Sequence, residues 1–169
     1  MTETPQQYQT RILALGDRGD PLTVLSSTAE RLRAATRGRP ADVLSRRPAP
    51  GRWSVHEIVV HLADAEVVFA YRLRMMIAAP GVRLQAFDQD GWANSMQYGR
   101  LDLAGALDRF DTLRRSNLEL IANLKAPEQA FGLHAERGRE DAALLLRLYA
   151  GHDLNHLTRI EAMVAELSP

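Results

Sequence analysis

The chain has 169 residues, enough for one domain with a substantial core, and its 21 Lys and Arg balance 21 Asp and Glu. A globular composition (46% hydrophobic, 25% charged) with zero formal net charge argues against a polyphosphate partner, so no nucleic acid is expected. Cysteine is absent, which excludes disulfides, a thiolate nucleophile and thiolate metal ligands, and leaves nitrogen and oxygen as the only donors for a metal.

Met1 to Pro5 is polar and lacks the basic-then-apolar pattern of a secretion signal. No apolar run approaches the roughly 18 residues of a membrane span. A cytoplasmic chain with no membrane partner is the expectation. Residues 1–20 are expected to form a partly ordered N-terminal segment, with a short helical piece near Tyr8 to Leu15 stopped by Gly16 and Gly19.

The bundle is expected over residues 21–167. Its first helix runs from Pro21 to Thr36, where Leu22, Leu25, Ala29 and Leu32 recur every three or four residues before Gly38 and Pro40. The second has the clearest start. Ser54 and Glu57 stand three apart as a capping box requires, and Trp53 and Ile58 take the positions of a hydrophobic staple. Its stripe of Ile58, Leu62, Ala65, Val68, Phe69, Met75 and Met76 leads to a stop at Pro80-Gly81.

The third helix begins at the N-cap Asp102 and carries Leu107, Phe110, Leu113, Leu118 and Ile121 to about Leu124. The fourth spans Glu140 to Leu167 through Leu145, Leu148, Ile160 and Met163. No alternating strand pattern is visible, so the fold class is all-α, a four-helix bundle. About twenty residues, Pro80 to Leu101, join the second and third helices. At more than 3 Å per extended residue they can travel the length of a helix of roughly 26 residues, about 39 Å. Up-down-down-up order with a crossover there is therefore allowed beside simple up-and-down order.

Three histidines face the expected core. His152 and His156 are four apart, one turn of one face, and continue the stripe of Leu145 and Leu148 toward Ile160. His61 lies three after Ile58 and four before Ala65. A buried imidazole needs a partner, and one shared metal ion supplies it for all three. A single inward histidine is ordinarily a hydrogen-bonded core residue, and Asp64 and Glu66 offer a rival pairing without metal. Asp64, three after His61, is also placed to orient that ring or a bound water, as carboxylates commonly do beside metal-bound histidines. Tyr149, three before His152, is a candidate for the cavity wall; otherwise it is an ordinary half-buried tyrosine. His56 is expected exposed at a helix start and His134 in a loop, both outside the site.

Together, Arg52-Trp53-Ser54-x-x-Glu57-x-x-x-His61-Leu62-x-Asp64-x-Glu66, then Tyr71-Arg72, then Leu148-Tyr149-x-x-His152-x-x-x-His156-Leu157-x-x-Ile160 resemble the DinB-like superfamily over roughly residues 20 to 167. That group includes bacillithiol S-transferase-like and mycothiol-dependent enzymes. The resemblance implies an up-down-down-up bundle, commonly a homodimer, with ligands carried onto His61, His152 and His156. It implies a divalent ion, zinc or nickel foremost, although three imidazoles suit copper and iron as well. Members of the maleylpyruvate isomerase branch replace one histidine by a carboxylate; three histidines resemble the bacillithiol transferase branch more.

Three protein nitrogens leave at least one position open on the ion. The reading that follows is a metal-dependent S-transferase that passes a low-molecular-weight thiol to an electrophilic small molecule. Metal-dependent hydrolysis is the alternative, and a non-catalytic ligand- or partner-binding bundle with a structural metal or none is a third. The segment from Pro80 to Leu101, with Phe87, Asp88, Asp90, Trp92 and Tyr98, is expected either to cover the cavity mouth or to meet another subunit.

Overall fold

Each long helix starts on a side chain that accepts one of its free N–H groups. In the computed structural model, which describes residues 3–166, Thr4 caps α1 (Pro5–Gly16) and Asp20 caps α2 (Pro21–Thr36). A single turn, α3 (Ala41–Leu44), precedes α4 (Val55–Ala78). Ser54 Oγ accepts the Glu57 N–H at 3.2 Å and Glu57 Oε2 accepts the Ser54 N–H at 2.9 Å, so the expected capping box forms. After β1 (Val82–Leu84), Asp88 caps α5 (Gln89–Ser95) and a 3₁₀ turn covers Tyr98–Arg100. Asp102 then accepts from Ala104 and Gly105 to open α6 (Leu103–Ala122). Strands β2 (Phe131–His134) and β3 (Gly138–Asp141) lead into α7 (Ala142–Glu166); Leu167, the expected end of that helix, lies outside the described residues.

The four-helix bundle is α2, α4, α6 and α7. Helix α2 packs on α6 and α7, and α4 packs on the same two. Helices α4 and α6 lie side by side in the same direction: His56 meets Leu101, Glu66 meets Arg114 and Arg74 meets Asn117. Helices α2 and α7 likewise pair Thr28 with Asp153 and Arg31 with Glu161. One end of the core holds Val55, Ile58, Val59, Leu62, Phe110, Leu157 and Ile160; the other holds Phe69, Leu73, Met76, Leu145 and Tyr149. The three core histidines fall where these two halves meet.

The structure departs from the sequence reading in several places. The chain forms a three-stranded sheet of order β1-β2-β3, with β1 parallel to β2 and β2 antiparallel to β3. Its strands are only three or four residues long, too short to display alternation. In α6 the buried stripe is Leu107, Phe110, Arg114 and Asn117, whereas Leu113 and Leu118 are half-buried. Leu22, expected on the apolar face of α2, is 46% exposed.

Helix α1 is longer than the expected Tyr8–Leu15 piece and docks on α7 backbone to backbone. A Cβ on Gly151 would meet Ile12 O at 1.9 Å, and one on Gly16 would meet Arg147 O at 2.4 Å. Arg11 to Asn155 and Asp17 to Arg147 bonds flank that contact. No helix among the described residues is long and apolar enough to cross a membrane.

Candidate metal centre

His61 projects from α4, and His152 and His156 from successive turns of α7. One ring nitrogen from each lies within 4.8 Å of the others, and the Nε2 atoms of His61 and His152 stand 3.0 Å apart. The rings crowd edge to face, with centroids 4.5 to 5.1 Å apart. His61 is fully buried, His156 is 4% exposed and His152 is half-buried.

Burial holds all three imidazoles neutral. The His61 and His156 rings lie well below the usual imidazole range, first by desolvation and then by their histidine neighbours. Burial takes His152 down to about 4, against the opposing pull of Asp153. Neutral nitrogen is the form that binds a metal. Nδ1 of each ring is buried without a hydrogen-bond partner, so the cluster holds donor atoms that the described residues do not satisfy. These residues fit a divalent ion.

The rival pairing with carboxylates does not form. Glu66 faces away from the histidines: Oε2 accepts from Arg114 Nε at 3.0 Å and Nη2 at 2.7 Å, and Oε1 accepts from Asn117 at 2.7 Å. Arg114 also donates to Asp153 Oδ2 at 2.6 Å and to Leu25 O at 2.9 Å. Thr28 Oγ1 closes the group with a 2.8 Å bond to Asp153. This buried cluster ties α2, α4 and α6 to the residue directly after His152. It was missed in the sequence because Arg114 and Asn117 are polar, although their spacing from Leu107 and Phe110 placed them on the inward stripe.

Asp64 does not orient His61, whose Nδ1 has no partner. Its carboxylate lies instead beside Tyr98, whose phenol is pushed up by burial and then by Asp64. Three residues on from His61, it has turned toward the 3₁₀ segment. Tyr149 does line the cavity: its hydroxyl donates to Ala65 O at 3.2 Å, and its ring stacks on Phe69 at 4.1 Å. His56 is half-buried rather than exposed, its Nε2 2.8 Å from Leu101 O. His134 is in β2 rather than a loop and 3% exposed, because the sheet buries it against Arg72.

The segment between α4 and α6 covers the centre. Phe87 stacks on His61 at 5.9 Å with planes 6° apart, Trp92 meets Phe87 edge to face at 4.8 Å, and the tilted Trp53 ring lies 4.8 Å from His61. Two adjoining cavities open over the site. The first, about 350 Å³, is lined by Tyr8, Arg72, Phe87, Tyr149 and His152. The second, about 280 Å³, is lined by Arg52, Trp53, Asn155, His156 and Arg159. Glu3, Tyr8 and Gln89 border both, so they are lobes of one groove. Arg159 is perturbed downward by burial and then by Arg52, and adds positive potential at His61 and His156.

The chain is similar to several curated proteins named "Putative metal-dependent hydrolase". One from Oceanobacillus iheyensis is 26% identical over 115 residues, 67% of this chain and 66% of that protein. One from Bacillus cereus is 23% identical over 120 residues, 70% and 68% of the two chains. One from Geobacillus kaustophilus is 22% identical over 163 residues, 95% and 89%. The chain thus spans about two thirds of the first two relatives and most of the third. Among solved structures, YfiT from Bacillus subtilis, described as "a probable metal-dependent hydrolase with an unusual four-helix bundle topology", matches with TM-score 0.79 at 20% identity, covering 90% of this chain and 87% of that one. The likeness carries the four-helix fold, and the relatives' names join the three-imidazole group in supporting a divalent metal. A sequence profile matches residues 25–160, and the chain belongs to the DinB superfamily.

Proposed function

We propose that His61, His152 and His156 hold one divalent ion, zinc or nickel, in an enzyme that transfers a low-molecular-weight thiol to an electrophilic small molecule. The observation that carries this reading is the placement of the imidazoles: His152 lines one lobe of the groove and His156 the other, which leaves room for two small molecules. When bound, the ion lowers the pKa of a thiol or water at its open position, so that a nucleophile is available near neutral pH.

The chain's own residues do the rest. Cysteine is absent, so the sulfur belongs to a cosubstrate. Arg159 places positive potential at His156, and Arg52 lines the same lobe, which favours the thiolate over the thiol. Phe87 and Trp53 both pack against the fully buried His61 ring and help keep bulk water from it. In the transfer an S–C bond forms as the bond from carbon to the leaving group breaks. The leaving group departs with the electron pair, and the thiol proton goes to solvent.

Hydrolysis is the second reading, favoured by the names of the relatives. The two separate cleanly. Metal-loaded protein is assayed with bacillithiol, mycothiol and glutathione against a model electrophile, alongside esters and amides without thiol. Metal-dependent turnover that requires a thiol is the expected result; turnover without thiol selects hydrolysis. No metal in protein purified without a histidine tag, and no turnover in either assay, would leave a non-catalytic bundle.

A further inference from the structure

Two arginines are buried among the described residues, and they are treated differently. Arg114, 2% exposed, is met by the carboxylates of Glu66 and Asp153. Arg72, 6% exposed, is met by none among the described residues. It sits three turns along α4 from His61, on the same face. Its Nη2 donates to Gln85 O and stands 3.3 Å from His134 Nε2.

His134 cannot supply the missing charge. Its Nδ1 accepts the Glu136 N–H at 3.2 Å, which leaves the proton of the neutral ring on Nε2, facing the guanidinium. The carboxylates nearby are committed or peripheral. Glu140 is taken by Arg137 at 2.5 Å and Glu3 by Arg11 at 2.8 Å, while Glu136 is exposed. A desolvated cation without a counter-charge is costly to keep. Arg72 lines the first lobe of the groove with Tyr149, Arg137 and His152.

We propose that Arg72 is the anion-docking residue of this cavity, so that the small molecule handled there carries a carboxylate that pairs with Arg72 while its reacting end lies at His152. The guanidinium presents a planar fork matched to a carboxylate. This deepens the reading of the groove as a substrate chamber, but its test needs neither turnover nor metal.

Binding of 3-phenylpropionate and of its neutral amide, 3-phenylpropanamide, is measured by calorimetry and by shift in melting temperature, on metal-loaded and on metal-free protein. The acid is expected to bind at least about tenfold tighter than the amide in both. Arg72→Gln removes the preference and His152→Ala retains it. Equal binding of acid and amide by the wild-type protein overturns the proposal, and this comparison stands even where Arg72→Gln does not fold. Preference that survives Arg72→Gln but vanishes with His152→Ala or with metal removal also overturns it, since the carboxylate would then be a metal ligand. Charge preference without turnover leaves Arg72 in place and removes the enzymatic reading; turnover without preference does the reverse.

Discussion

Arg114→Met removes the cation of a buried ionic cluster and should be among the most destabilising single substitutions in the chain. The guanidinium is 2% exposed, makes two bonds to Glu66 and one each to Asp153 and Leu25 O, and lies 4.5 Å over the Phe110 ring. Burial already pushes the Glu66 carboxyl above its usual range, against the pull of Arg114. Without Arg114, two carboxylates that are each 1% exposed face one another uncompensated. Breaking a buried pair in this way costs about 3–5 kcal/mol. At about 2–4 °C per kcal/mol for a domain of this size, the melting temperature should fall by roughly 6–20 °C. Because Asp153 follows His152 directly, metal affinity should fall with stability. Urea unfolding of metal-free protein measures the first and competition with a chelator the second. Adding Glu66→Gln and Asp153→Asn to Arg114→Met should recover part of the loss, since no buried charge is then stranded. A loss below about 1 kcal/mol for Arg114→Met alone, or no recovery in the triple variant, would refute the reasoning.

Acid should destabilise the metal-free protein. The imidazoles of His61, His134, His152 and His156 are lowered in the folded state, chiefly by burial, and ordinary in the unfolded chain, so the unfolded chain takes up protons first. Their contribution is complete above about pH 6.5 and is lost as pH falls, toward about 4 for His134 and His152, at up to about 1.4 kcal/mol per pH unit for each ring. Urea midpoints that stay level between about pH 7 and 5 would contradict this. His61→Ala, His152→Ala and His156→Ala should each lower metal affinity by more than about tenfold while the helical circular dichroism persists, and elemental analysis that still finds one ion per chain in any of them removes that residue from the ligand set. Gly151→Ala should cost about 1–3 kcal/mol, because its methyl would meet the Ile12 carbonyl, a backbone atom that cannot rotate aside. Hydrogen exchange should then quicken in α1 before the rest, and unchanged protection there would show that α1 is not held by that contact.

The four bundle helices were legible because each has its own local signal: a capping side chain, a period near 3.6 and a Pro or Gly stop. The sheet has no such signal. Its strands are three or four residues long, and β1 finds β2 across nearly fifty residues of chain, so the pairing is decided by tertiary contacts. The metal centre was half legible. Spacing alone puts His152 and His156 on one face, and His61 on the buried stripe of α4. Phe87 reaches the site, and the sheet-borne His134 reaches Arg72 at the cavity wall, through the way the intervening segments fold back, which no local pattern encodes.

Polar residues on buried stripes are the signal that apolar counting discards. On α6, Arg114 and Asn117 hold inward positions between Phe110 and Ile121, and each is answered: Glu66 from α4 meets both, and Asp153 from α7 meets Arg114. On α4, His61 and Arg72 hold inward positions of the same kind. Three imidazoles converge beside Asp153, whose Oδ1 stands 4.0 Å from His152 Nδ1 and whose Oδ2 is taken by Arg114 and Thr28, and Arg72 stands without a carboxylate among the described residues beside the same cavity. The chain closes its structural charges internally where α2, α4, α6 and α7 meet, and leaves its lone pairs and one guanidinium open where the groove begins. A fold that neutralises Arg114 so completely and Arg72 not at all has reserved the second arginine, like the three imidazoles, for partners that come from outside the chain.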